Sequence, residues 1–580
     1  MSLWKIWSKK PGKQAQEGSL PIFPLENDCG DKLEALDARI GEHGTIDNSQ
    51  DRIPKPRSAA EYRAAAQTPY KYRPLPPPSG DIFYLRLLEI RESRSIDAPL
   101  ECSIRHYGFD STDQQTYHAV SYVWGPPEFS ELLICDDCTS HLRITPRLHD
   151  ILIRLRKRSY TNLLYAESST AGFGTNMIMR VWIDAICINQ NDPIERSQQI
   201  QQMAKIYRRA MVVHVFLSDR KGTTSWLESN WFTRRWVVQE LLSASKVHAH
   251  LPQASDKPKR QQIAEVSWNW LMDELQKEPI ISELTRLNPN VRDSITEFRR
   301  LKGRGLKYFN ILTILLKFQY ADCDDDRDRI FAFIGIASDV LPPENKPPEN
   351  TATTSHDKLV LAHYRSAIKF SPDYSISTDH TYINFAKAAL QCAFPFDILH
   401  CAGAIRRLRP GRILVQETSL PSWVPDWRLK TLYKPLMRAT VFDSGGYKKR
   451  DSILITITEV KLEIKGWQIS TVDSVGKTFP ASESDWKAYV KDSFDDPSYL
   501  DLSLDRVCIR TSDGLVGAAP PDAEAGDEIV IFVASRTPFI LRRIGDSNEY
   551  CLIGDCYVEG IMHGEVLRDS SHEKSDFVIV

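Results

Sequence analysis

The segment Val181-Trp-Ile-Asp-Ala-Ile-Cys-Ile188 constrains this chain most, because it is short, almost continuously apolar and followed at once by signals for a helix start. A run of this length without alternation reads as a strand buried on both faces, since each side of the pleat then meets apolar neighbours. Asn189-Gln190 closes it, Asp192 is placed to cap a helix, Pro193 suits the first helical position, and Glu195 stands where a capping box wants an acid. The helix so begun carries Ile200, Met203, Ala204 and Tyr207 on one face. The same alternation continues on either side. Tyr117-His-Ala-Val-Ser-Tyr-Val-Trp124 reads as a strand ended by Gly125-Pro126-Pro127, and residues 144–156 place apolar side chains at 148, 151, 152 and 155, a helical stripe. Residues 211–217 are the next buried strand, and a last helix runs through Trp236, Val237, Glu240, Leu241 and Ala244. Strand followed by helix, repeated, predicts an α/β fold with a parallel sheet flanked by helices.

The rest of the chain reads differently. Residues 1–80 are a proline-rich segment without sustained periodicity, expected to be poorly ordered, and 81–245 form the α/β domain. Residues 246–440 read as a mainly helical extension interrupted by a mobile, turn-rich loop at 341–357. From 441 to 580 short runs near 453–457, 462–466, 528–534 and 550–553 predict a small β-rich unit.

Bulk properties remove several classes of function. Lys and Arg total 74 against 76 Asp and Glu, a net charge of -2, so there is no global positive field to recruit a nucleic-acid backbone. Hydrophobic residues make up 42% of the chain, enough for packed cores. No apolar run approaches a membrane span or a secretory leader, and 11 cysteines at irregular spacings suit reduced thiols. A cytoplasmic location without a transmembrane segment is expected.

Several local motifs fail on their chemistry. Phe442-Asp-Ser-Gly-Gly446 lacks the histidine segment a serine nucleophile needs, and Thr471 stands where a phosphate loop ending in Gly476-Lys-Thr478 requires glycine. Asp322, Asp324 and Asp326 have calcium-loop spacing, but Arg327 occupies the glycine turn and Phe333 the bidentate acid position. Cys135-Asp-Asp-Cys138 is a single pair without a second, and His248-Ala-His250 puts two imidazoles on one face of a strand, which either bind a metal or, the preferred reading, belong to a surface β segment. No metal site is therefore predicted.

Two clusters remain. Asp184 interrupts the apolar run before Asn189 and Gln190, at the carboxyl end of a strand, where open α/β sheets bind ligands; it is either a ligand-facing acid or one tied to backbone donors. Trp231-Phe-Thr-Arg-Arg-Trp-Val-Val-Gln-Glu240 is the other. Trp236 and Glu240 are four apart and share a helix face, so Glu240 is either a semi-buried acid beside an indole or the partner of Arg234 or Arg235.

At these segments the chain resembles the fungal heterokaryon-incompatibility (HET) domain: Tyr117-His-Ala-Val-Ser-Tyr-Val-Trp-Gly125, Val181-Trp-Ile-Asp-Ala-Ile-Cys-Ile-Asn-Gln190, Glu195-Arg196 with Met203 and Ile206-Tyr207, and Trp231 through Leu241. The resemblance implies fungal nonself recognition, a programmed cell death effector or regulator, and as partners other incompatibility proteins or further copies of the chain. HET domains are in turn similar to TIR domains, several of which cleave NAD with a glutamate on the last helix. That likeness places the catalytic acid at Glu240 and a pocket around Ser121, Tyr122, Trp124, Asp184, Asn189, Gln190 and Trp236. It makes NAD a possible substrate and implies no other cofactor; a catalytically silent regulator is the remaining alternative.

Overall fold

The computed structural model describes residues 57–77, 82–93, 97–110, 116–167, 179–217, 226–252, 263–274, 277, 289–302, 309–343, 355–403, 420–429, 435–436, 442–446, 455–478, 506–565, 567–568 and 572–580. Residues 1–56 of the proline-rich segment and 344–354 of the turn-rich loop lie outside them. The chain divides into two compact units: one from the described residues up to 306 together with 321–328, the other from 307–320 and 329–580.

The first unit is built on a nine-stranded sheet. In chain order its strands are β1 (Phe83–Ile90), β2 (Glu101–Phe109), β3 (His118–Tyr122), β4 (Glu131–Cys135), β5 (Ser140–Ile144), β6 (Arg180–Trp182), β7 (Val212–Phe216), β8 (Val247–Pro252) and β9 (Ile263–Ser267), arranged β5-β4-β2-β1-β6-β3-β7-β8-β9. The sheet is mixed, not parallel throughout. The run β6-β3-β7-β8 is parallel. Those neighbours are joined by helical crossovers, which parallel pairing demands. Where the connection is too short for a crossover the pair is antiparallel, as for β1 with β2, β4 with β5 and β8 with β9. The β4–β5 turn is so tight that Asp136, Asp137 and Cys138 all take positive φ. The last two strands carry the sheet past residue 245, into the stretch expected to be helical.

Two further differences follow from tertiary contacts that local pattern does not encode. Part of the segment expected as a loose lead-in folds: Ser58 and Glu61 form a reciprocal capping box for helix α1 (Ala59–Gln67), whose Tyr62 and Ala65 pack on Ile134 of β4. The apolar run at 181–188 is strand only to Trp182. From Asp184 to Cys187 it turns into the single-turn helix α3, after α2 (Pro146–Glu167), because the Ile183 carbonyl accepts from the amides of Ile186 and Cys187.

Helix α4 (Pro193–Arg209) starts as its sequence indicates, with the Asp192 side chain accepting from the amides of Ile194 and Glu195, and it buries Ile200, Met203, Ala204 and Tyr207. Glu195 does not complete a capping box. It is drawn to Arg86 of β1, a fully buried guanidinium that holds it at 2.5 and 2.8 Å. Leu148, Ile151, Leu152 and Leu155 of α2 are all buried against the sheet. Helix α5 (Trp236–Ser243), buried along its whole length, closes the parallel run.

In the second unit the β-rich end is a closed barrel. Strand β10 (Lys461–Thr478) pairs with β11 (Glu528–Phe532) on one side and β14 (Lys574–Ile579) on the other, and β12 (Phe539–Arg543) and β13 (Glu549–Asp555) complete the ring. Closure leaves these strands no open edge. Gly466 stands where β10 approaches β11, and a Cβ there would lie 2.7 Å from the Ile531 carbonyl oxygen. Ile529, Ile531, Ile540 and Ile553 fill the core. One ionic group is sunk in it: Asp555, fully buried, accepts from Arg506 at 2.5 Å, from the Leu436 amide at 2.6 Å, and lies 2.6 Å from His400 Nδ1.

Candidate functional site

The site grows from the carboxyl end of β3, a strand buried at all five positions between β6 and β7. Its Ser121 hydroxyl donates to the Glu240 carboxylate and accepts from Trp231 Nε1 at 2.7 Å. A buried serine has one proton to give, so these two bonds fix its rotor. Glu240 comes from α5 and is 3% exposed. Burial pushes its carboxyl up to about 7; the nearby Asp184 charge adds to the rise, and the Arg234 charge and the Ser121 bond oppose it. A carboxyl poised near neutrality both gives and takes a proton at physiological pH.

Asp184, first residue of α3, accepts from Trp124 Nε1 at 2.9 Å and from the Ala185 amide at 2.8 Å. Burial raises its pKa, against the pull of Arg234 and of these donors. Gln190 reaches back with Nε2 to the Asp184 carbonyl at 2.8 Å. The Asn189 amide is spent on Glu195 and its side-chain oxygen on the Asn191 amide, so Asn189 shapes the turn. Gly125, at φ +76, lets the chain leave the strand just beyond Trp124, a conformation that costs other residues a steric clash.

The sequence spacing paired Trp236 with Glu240, and here the structure differs. Trp236 turns its indole N–H to Asp328 Oδ2 at 3.1 Å, and Trp231, nine positions ahead of Glu240, supplies the indole for the acid's network. Neither arginine ion-pairs Glu240 at an outer surface. Arg235 is buried and bonds the Ala321 carbonyl, whereas Arg234 donates to the Tyr122 carbonyl and acts on both carboxyls through its field. Tyr122 itself is buried.

Beside Trp124 lies a cavity of about 300 Å³. Trp124, Tyr72, Phe129 and Ile186 give it apolar walls, and Gln190, Asn191, Arg143 and Arg196 give it polar ones. Aromatic walls with amides and guanidinium groups suit a flat or anionic small molecule. Asp184 stands at its margin through Trp124, but Ser121 and Glu240 are not among the lining residues. Tyr72, inside the proline-rich stretch, carried no signal in the sequence; its hydroxyl bonds the Ile186 carbonyl at 2.9 Å and its ring lies under Arg86.

Two segments of the chain resemble known families. Residues 117–225 match the heterokaryon incompatibility protein (HET) family and residues 459–580 the Het-6 β-barrel domain. These two segments are where the chain is similar to that family and that domain. Its relatives include heterokaryon incompatibility protein 6, OR allele, of Neurospora crassa, to which it is 21% identical over 86% of its own length and 96% of that protein. Over 23% of its length it is 32% identical to vegetative incompatibility protein HET-E-1 of Podospora anserina, a match covering 9% of that protein. No solved structure matches the chain. The HET match ends before Trp231, so the half of the acid network contributed by α5 lies beyond it.

Proposed function

We propose that this chain acts in fungal nonself recognition as a heterokaryon-incompatibility determinant whose HET domain delivers a cell-death response, through contact with other incompatibility proteins or with further copies of itself. The observation that carries this reading is the pairing of a HET domain and a Het-6 barrel in one chain that aligns with 96% of the Neurospora crassa incompatibility protein. The test is induced expression of the full chain in a filamentous fungus of a different incompatibility type. Growth arrest with vital-dye uptake is expected, and wild-type chain that accumulates while the cells stay viable overturns the reading.

One observation supports a second reading, in which the domain hydrolyses NAD in the manner of TIR domains: Glu240 is a buried carboxyl held near neutrality. Breaking the bond between nicotinamide and ribose builds positive charge on the ribose, and a carboxylate on that face stabilises it while water adds to the carbon nicotinamide leaves. Because Glu240 does not line the cavity, this chemistry requires the Ser121 side of the site to open. Full-length protein incubated with NAD should release nicotinamide, and Glu240→Gln should release none. If the wild-type chain kills cells yet yields no nicotinamide, the hydrolase reading fails and the incompatibility reading stands.

A further inference from the structure

The first unit contains another polar centre, built on the far strands of its sheet. His118 of β3, His214 of β7, His248 and His250 of β8, and Glu265 of β9 all lie on one face. The register requires this: Val120 pairs with His214, His214 with His248, and His250 with Glu265, while strand residues two apart share a face. Strand β8 is an interior strand and His250 is buried, so these imidazoles are not the surface feature that His248-Ala-His250 suggests by itself.

Three of the rings form a row. His118 Nδ1 lies 2.9 Å from His214 Nε2, and His214 Nδ1 lies 2.9 Å from His250 Nε2. His214, in the middle, has no exposed surface. Hydrophobic packing does not explain such a row, because each imidazole brings two polar nitrogens whose burial is costly unless they are used. A neutral imidazole has one donor and one acceptor nitrogen. When His214 carries its proton on Nε2 and gives it to His118, the lone pair of its Nδ1 faces His250 Nε2. The Glu265 carboxylate completes the convergence: the His214, His250 and Glu265 ligand atoms all lie within 4.8 Å of one another.

We propose that His214, His250 and Glu265 bind a divalent transition-metal ion of the zinc class. Two imidazoles and one carboxylate are the donor set that borderline metals of this kind prefer, with a fourth position left for water. Tetrahedral bonds to nitrogen require the two imidazole nitrogens to sit about 3.3 Å apart, a few tenths of an ångström wider than they are. His118 is the outer partner: by accepting the His214 Nε2 proton it fixes the tautomer that leaves Nδ1 for the metal. Phe216 holds the other ring, stacked on His250 at 4.2 Å and 7°. His248 steadies the carboxylate, its Nδ1 2.5 Å from Glu265 Oε1. Access is from the edge strand β9, where Glu265 faces solvent. The bound ion would tie that edge, paired on one side only among the described residues, to the middle of the sheet.

The test uses the full-length protein, stripped with chelator and titrated with Co²⁺ and then Zn²⁺ against a chromophoric competitor. About one Co²⁺ per chain is expected, with the visible bands of a tetrahedral site that Zn²⁺ abolishes and with a raised melting temperature. Glu265→Gln, on the solvent-facing edge strand where the fold is least disturbed, and His250→Gln should each weaken Zn²⁺ by at least ~100-fold; His118→Phe should cost roughly 10–100-fold, as loss of an outer partner does. Wild-type protein that retains no ion overturns the proposal. So does Zn²⁺ binding equally tight in Glu265→Gln, which would place the ion elsewhere, for instance on Cys135 and Cys138.

Discussion

At pH 8, Glu240→Gln unfolds at a higher temperature than the wild-type chain, although it removes the acid on which the hydrolase reading depends. The expectation comes from linkage. Glu240 titrates at its ordinary 4.5 in the unfolded chain and at about 7 in the fold, where burial penalises the charged form. Below pH 4.5 both states hold the proton and nothing is lost. Between 4.5 and 7 the unfolded state ionises while the folded state does not, so stability falls as pH rises; above 7 the loss is complete at about 3 kcal/mol. Glutamine keeps the shape and still accepts from Ser121 Oγ without ever ionising. The melting temperatures of the first unit should therefore nearly coincide at pH 4 and separate by roughly 6–10 °C at pH 8. Equal melting at pH 8 would mean that Glu240 is better solvated than its 3% exposure indicates.

The barrel should respond in the opposite sense. Asp555→Asn leaves the Arg506 guanidinium, itself without exposed surface, facing a neutral amide in the core. Breaking a buried pair by removing one partner costs about 3–5 kcal/mol, because the charge left behind has neither water nor a counterion. The second unit's transition should drop by roughly 10 °C or more, and Asp555→Asn combined with Arg506→Met should recover much of it. The wild-type chain carries the same dependence on acid. Burial would raise the Asp555 carboxyl, but the Arg506 charge and the His400 contact bring it down to about 2, below its ordinary 3.8. Its stabilising contribution, about 2 kcal/mol, is full above pH 4 and disappears as pH falls from 4 to 2. Urea midpoints measured at pH 6 and pH 3 check both claims, and an Asp555→Asn barrel as stable as wild type at pH 6 would refute them.

Sequence pattern revealed what depends on neighbours in the chain. The buried strands at 118–122 and 212–216 and the cap at Asp192 rest on signals a few residues long. What it missed depends on distance. Glu195 looked like a capping-box acid because the pattern is local, yet Arg86, 109 residues away, takes it, a charge-assisted bond outweighing a backbone one. Trp236 was paired with Glu240 by helical spacing, but the indole that reaches the acid's network comes from Trp231 by way of Ser121, a residue 119 positions from Glu240. The apolar run at 181–188 gave no sign that it would bend at Asp184, since a buried single helical turn and a buried strand use the same residues. Strand β9 lies within residues 246–440, expected to be mainly helical, and without it as a neighbour β8 reads as surface.

The ring in the second unit also sets an order of events. Strand β14 lies between β10 and β13, so β10 waits for residues 574–579 before its second edge is covered. On a ribosome the large sheet, whose last strand ends at Ser267, can assemble while hundreds of residues are still to be made. The barrel cannot: its first long strand remains an open template until residues 574–579 have been made. Between residues 478 and 574 a nascent chain of this protein therefore carries a finished sheet and a barrel strand exposed to pairing with the wrong neighbour.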